Sequence, residues 1–315
     1  MACPGYAWRT RTDRFAAVFR LIAGLRESVY PAHHARSWRV WGRTVLEVVS
    51  VGSGSCGNAL LVRTTSTLFL VDCGVGIRRM APALRTLGVD IGSIDALLLS
   101  HEHSDHVKEL PRFVSLRTPT ICTRGTALAA GLPLSHWEEC APQRTVRIGD
   151  AEIRALPISH DAAEPCAFFI QTPDGAVTVA TDIGTYSGVV AEAIADSRLV
   201  MIEANHDEEM VRRSSYPRHL QRRILSETGH LSNRDCAALL AGALKAGASL
   251  PTIWLAHLSE SNNRPALARK TVMTALAASG FRIEVAPLPR RDVGPHWTSA
   301  SPSTGAAQLS LDFFV

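Results

Sequence analysis

Ala96-Leu97-Leu98-Leu99-Ser100-His101-Glu102-His103-Ser104-Asp105-His106 is the stretch on which the reading of this chain turns. An apolar run of strand length stops in a loop where His101, His103, Asp105 and His106 put four potential metal ligands into six residues. Imidazole nitrogen and carboxylate oxygen are donors that zinc and similar divalent ions take. A solvated loop needs polarity, but it does not need three imidazoles at this spacing.

Outward from this loop the chain alternates strands with helices. Val45 to Val51, Ala59 to Val62 and Leu68 to Val71 read as strands, rich in β-branched and aliphatic residues. The glycine-rich Gly52-Ser53-Gly54-Ser55-Cys56-Gly57-Asn58 between the first two lacks a Lys-Ser/Thr ending and precedes a strand, so it reads as a tight turn near the site rather than a phosphate cradle. Asp72 ends the third strand, either to orient histidines of the metal loop or to cap the helix expected over Ile77 to Leu87. Isolated ligands recur at later strand ends: His160 after Glu152 to Ser159, Asp182 after Val177 to Ala180, and His257 after Ile253 to Ala256. Helices are expected over Asn233 to Lys245, with Ala237, Leu240, Ala241 and Leu244 on one face, and over Pro265 to Ser279.

Composition narrows the class. The 315 residues are 46% hydrophobic and 20% charged, which suits a globular protein with a large core. The seven cysteines form no CxxC pair and are odd in number, which argues against a disulfide framework or zinc ribbon and for a reducing, cytoplasmic setting. No apolar run approaches bilayer length, so no membrane partner is expected. A net charge of +4 permits an anionic partner without demanding one.

The order of these motifs, Asp72, then HxHxDH, then His160, Asp182 and His257, resembles the metallo-β-lactamase superfamily over roughly residues 45–290. Residues 52–58, Ser159-His160-Asp161-Ala162-Ala163-Glu164-Pro165, Glu203-Ala204-Asn205-His206-Asp207, Gly229-His230-Leu231-Ser232-Asn233 and His257-Leu258-Ser259-Glu260-Ser261-Asn262-Asn263 are similar to the YycJ/WalJ-type branch, with Cys56 where a serine is usual. The resemblance implies an α/β fold, the four-layer αβ/βα metallo-β-lactamase sandwich, and a cytoplasmic bacterial DNA exonuclease working 5′ to 3′ in repair. It implies two divalent ions, zinc or manganese with iron possible for this donor set. His101, His103 and His160 would hold the first and Asp105, His106 and His257 the second, with Asp182 bridging. A hydroxide held between them would be the nucleophile, so Asp105 counts as catalytic as well as ligating and no cysteine is needed.

The leaving oxygen of a cut phosphodiester needs a proton, and the resemblance extends to the acid and histidine motifs of a tRNA-processing nuclease of the same superfamily. Glu203 with His230 would supply the proton here; His230 could instead bind phosphate or cap the following helix. Asn205 and His206 are expected in the same pocket. Between these motifs, Arg212, Arg213, Arg218, Arg222 and Arg223 with Tyr216 would contact nucleic acid, or would form an ordinary solvated face.

Four segments result. Residues 1–43 hold eight arginines, no lysine and two acids, and read as a disordered basic extension or a mis-assigned start, with an organelle transit peptide the other option. Residues 44–290 form the catalytic domain, and 291–306 a flexible linker marked by Gly294-Pro295 and Ser299 to Ala306. The tail 307–315 resembles the peptide by which bacterial repair proteins dock into the sliding clamp, with Gln308, Leu311 and Phe313 on the defining positions; a last strand or a chance apolar end is the alternative. DNA and the clamp are thus the expected partners. The competing function is a metal-dependent hydrolase of a small ester, thioester, lactone or cyclic phosphate; a third reading, a clamp-associated binding module, conflicts with the intact ligand set.

Overall fold

Short runs of β-branched and aliphatic residues form strands, and central ones such as Ala96–Leu98 and Leu199–Glu203 bury both faces. A computed structural model describes residues 46–300 other than 143, 245–248 and 284. The expectations for residues 1–43 and for the tail bearing Gln308, Leu311 and Phe313 lie outside the described residues.

The first half runs β1 (Glu47–Gly52), β2 (Ala59–Arg63), β3 (Leu68–Val71), α1 (Ile77–Thr86), β4 (Ala96–Leu98), α2 (Ser104–Val107), α3 (Leu110–Ser115), β5 (Thr120–Cys122), α4 (Arg124–Ala129) and β6 (Trp137–Glu139). The second runs β7 (Thr145–Ile148), β8 (Ala151–Pro157), β9 (Cys166–Thr172), β10 (Gly175–Ala180), α5 (Gly188–Ala195), β11 (Leu199–Glu203), α6 (Glu208–Arg213) and α7 (Arg218–Ile224). It continues through α8 (Asn233–Ala243), β12 (Thr252–Ala256), α9 (Pro265–Ala278), β13 (Val285–Pro287) and β14 (His296–Thr298).

Among the described residues these strands make two seven-stranded sheets, ordered β14-β1-β2-β3-β4-β5-β6 and β13-β12-β11-β10-β9-β8-β7. Each sheet has the same plan. An antiparallel meander, β1-β2-β3 or β7-β8-β9-β10, leads into parallel strands joined through helices. Alternation along each strand then sorts side chains into layers. Phe69, Val71 and Leu98 of one sheet meet Phe168, Val177, Val179 and Trp254 of the other in a central core. Leu70, Leu97 and Leu99 face outward beneath α1, α3 and α4. Ala176, Val200 and Leu255 face outward beneath α5, α8 and α9. The result is the expected four-layer αβ/βα sandwich.

One expected boundary moves. His296–Thr298, placed in the linker by sequence, is a strand paired antiparallel with β1, Val48 opposite Trp297. Leu46 and Ser299 close the same ladder with two hydrogen bonds. The folded unit therefore continues past 290 to the end of the described residues. Gly294 and Pro295 mark the turn into this strand rather than the start of a tether.

Candidate active site

Parallel strands deliver their carboxyl ends to one edge of the sandwich, and the chemistry-bearing side chains gather there. Three of them stand in the left-handed backbone region: Asp72 (φ 60°), Asp182 (φ 58°) and His257 (φ 52°), just past the ends of β3, β10 and β12. A non-glycine residue in this region costs about 1–3 kcal/mol, so neighbouring contacts must hold all three in place.

The metal loop is fixed from below. Asp72 Oδ2 accepts from His106 Nδ1 at 2.8 Å, and Asp72 Oδ1 accepts from the Ser100 amide at 2.9 Å. Ser100 Oγ also contacts His101 Nδ1 at 3.0 Å. Asp72 is thus the orienting carboxylate; Gly76 holds the N-terminal end of α1. From the glycine-rich turn, the Asn58 amide donates to Asp105 O at 2.8 Å and Asn58 Nδ2 lies 3.0 Å from His106 Nε2. Gly74 passes so close that a Cβ there would lie 1.6 Å from Asp105 O.

With the outward nitrogens occupied, the remaining ligand atoms converge. His101, His103 and His160 offer three nitrogens within 4.8 Å of one another; Asp105, His106 and His257 do the same, and Asp182 joins His101 and His106 in a third group. His160 Nδ1 donates to Gly229 O at 3.0 Å, which leaves its Nε2 3.2 Å from His103 Nδ1. Asp182 Oδ2 lies 3.1 Å from His106 Nε2 and Oδ1 lies 3.1 Å from His257 Nδ1. The seven expected ligands are therefore brought together.

Burial and charge shape their protonation. Burial alone would lower the His106 pKa, but Asp72 and Asp182 outweigh it and push it up to about 10. Burial would raise Asp182, yet His257 and His106 hold it well below the usual carboxylate range. Burial dominates at His101 and His160, whose pKa values fall.

The residues fit a bound cation. His101 Nε2 and Asp182 Oδ2 are buried without a hydrogen-bond partner, the 3.1 Å approach of Asp182 Oδ2 to His106 lacking hydrogen-bond geometry. Buried polar atoms left unpaired are costly, and a cation among convergent nitrogen and oxygen donors removes that cost.

Glu203, at the end of β11, is completely buried with four contacts. Oε2 accepts from the amides of Ile183 (2.7 Å) and Leu231 (3.0 Å). Oε1 accepts from both His230 Nδ1 and His257 Nδ1 at 2.9 Å. Burial would raise its pKa, but the two histidines carry it down to about 2. Glu203, His230, Asp182 and His257 also form a ligand-like group. Because both Glu203 oxygens are already used, that group is a hydrogen-bonded knot rather than a third ion site. Burial would lower His230, and Glu203 reverses this to raise it.

Most of the site is closed to solvent. His101, His106, Asp182 and His257 are buried, while side chains of His103 (30% exposed), Asp105 (22%), His230 (19%) and Asp161 (32%) reach solvent.

Other expectations change. Asn205 does not line the pocket: its Nδ2 donates to His257 O at 2.8 Å. His206 is buried, and burial lowers its pKa to about 4. The five arginines divide. Arg212 and Arg213 pair with Glu208 and Glu209 one turn earlier on α6, and Arg223 pairs with Asp161 beside His160. Asp161 and Ser100 went unread because each sits next to a stronger signal, His160 and His101. The six cysteines among the described residues are free, and burial raises the Cys73, Cys122, Cys140, Cys166 and Cys236 thiols, which suits no nucleophile. No helix among the described residues is long and apolar enough to cross a membrane.

A β-lactamase superfamily domain model matches residues 67–254. The chain is 31% identical to the exodeoxyribonuclease YycJ of Bacillus anthracis over 242 residues, 74% of this chain and 90% of that one. It is 31% identical over 245 residues to the exodeoxyribonuclease WalJ of Streptococcus pneumoniae serotype 2 (strain D39), covering 75% and 90%. Among solved structures, the metallo-β-lactamase fold protein YhfI of Bacillus subtilis aligns with a TM-score of 0.62 at 18% identity, over 81% of this chain and 100% of that one, a likeness of fold. Sandwich, ligand edge and relatives converge on one family: the chain belongs to the metallo-β-lactamase superfamily and is a hydrolase.

Proposed function

We propose that the protein is a dinuclear metal-dependent phosphodiesterase that degrades DNA from an end, in the 5′ to 3′ direction that its family resemblance implies. The observation that carries this reading is the placement of His230. Its ring lies 5.2 Å from that of His160 and 5.3 Å from that of His257, between the two ligand groups. Glu203 takes its Nδ1, so Nε2 is left to act at the mouth.

Bound zinc or manganese ions supply a water-derived nucleophile and neutralise charge on the phosphoryl oxygens. His101, His103 and His160 would hold one ion, and Asp105, His106 and His257 the other, with Asp182 between. Asp72 and Ser100 keep His106 and His101 aimed at the site. His230, held protonated by Glu203, donates its Nε2 proton to the leaving oxygen. The relatives named exodeoxyribonucleases support DNA as the substrate.

Purified protein incubated with end-labelled single- and double-stranded DNA in Mn²⁺ or Zn²⁺ should release nucleotides progressively from the 5′ end, and Asp105→Ala should not. Wild-type protein that binds metal yet leaves all DNA intact would refute the reading and favour a small-molecule ester, thioester, lactone or cyclic phosphate.

A further inference from the structure

Sequence offers five arginines as one basic run, and the structure sorts them by partner. Arg212 and Arg213 each pair with an acid one turn earlier on α6. Arg223, at the inner end of α7, pairs with Asp161, whose Oδ1 lies 3.4 Å from His160 Nε2 and 3.9 Å from His103 Nε2. Its side chain stays 54% exposed beside the site. Arg218 and Arg222 are exposed, and no acid among the described residues pairs with either. Four residues apart, they stand on one face of α7, about one turn from each other.

The helix carrying them is held against the catalytic residues at its inner end. The His230 amide donates to Ile224 O at 3.2 Å, and the Asp161 amide donates to Thr228 O at 3.1 Å. Ser159 Oγ donates to Glu227 O at 2.7 Å. Gly229 fits because it lacks a side chain: a Cβ there would lie 2.3 Å from Arg223 O and 2.4 Å from Ile224 O. At the outer end, Gln221 Nε2 donates to Tyr216 O at 2.8 Å and fixes the entering turn. The position of α7 is therefore set by the residues around His160 and His230.

We propose that α7 is a track for a polynucleotide strand. Arg223 meets the phosphate next to the one cut, and Arg222 and Arg218 meet phosphates farther along. This rests on the phosphodiesterase reading and sharpens it: the substrate is a strand with several phosphates beyond the cut, not a nucleotide-sized diester. Guanidinium groups suit such contacts because each offers paired donors to phosphate oxygens.

Fluorescence anisotropy with phosphorothioate-linked dT2, dT6 and rU6, titrated against salt on the holoenzyme, tests it. Wild-type affinity should rise from dT2 to dT6. In Arg218→Ala with Arg222→Ala, the salt slope for dT6 should fall by about 1.4, the share of two phosphate contacts to a single strand. Lysines at both positions should restore most of it, which guards against misfolding, and Arg212→Ala with Arg213→Ala should change the slope less than half as much. Equal binding of dT2 and dT6, or an unaltered slope in the Arg218/Arg222 variant, overturns the track; comparison with rU6 shows whether it serves DNA, RNA or both. DNA that is bound with the expected slope but never cut would instead sink the nuclease reading alone.

Discussion

Glu203 serves two histidines with a single oxygen. One holds its Nδ1 there while its other nitrogen lies 3.4 Å from Asp105, and the other is the proposed proton donor. The raised His230 pKa means that the proton is present below that pKa and lost as pH rises through it. Glu203→Gln removes the charge responsible, so the alkaline limb of the kcat profile should move to lower pH, with kcat at pH 8 down about 100-fold. A pH-rate profile whose alkaline limb stays in place would show that His230 is not the acid. The convergence of the seven candidate ligands was legible because each follows an apolar strand, but the sharing of Glu203 was not. It depends on contacts 27 and 54 residues away, for which no local pattern exists.

At the scale of elements, the glycines report where the backbone is too closely packed to admit a side chain. Gly74→Ala would force its Cβ into the Asp105 carbonyl and should cost about 3 kcal/mol or more along with metal binding. Gly242, exposed within α8 with nothing within 4 Å, should behave oppositely: Gly242→Ala should add about 0.5–1 kcal/mol. Urea denaturation of both variants checks the pair, and a gain at Gly74 or a loss at Gly242 would contradict the packing described. Strands β1 to β4, β10 and β12 were readable because continuous apolar runs mark strands buried on both faces. Strand β14 was not, since His-Trp-Thr is short, follows turn residues, and finds its partner about 250 residues earlier. The split of the arginines was hidden likewise, because Asp161 lies 62 residues from Arg223.

For the whole molecule, the division of the ligands matters most. His101, His103, Asp105 and His106 follow β4 of the first sheet, whereas His160, Asp182 and His257 belong to the second. Ions bound among them would join the two sheets along one edge. Chelation should lower Tm by about 10 °C at metal levels about a thousandfold above Kd. Hydrogen exchange should quicken at residues 101–106, 160 and 257 before it does in the central core. An unchanged Tm after verified metal removal would mean that the sheets hold this edge unaided. A chain clasped in this way would carry its cofactor status in its shape. A protease that surveys loosened proteins would then read metal occupancy as well, and the lifetime of the enzyme would follow the metal supply.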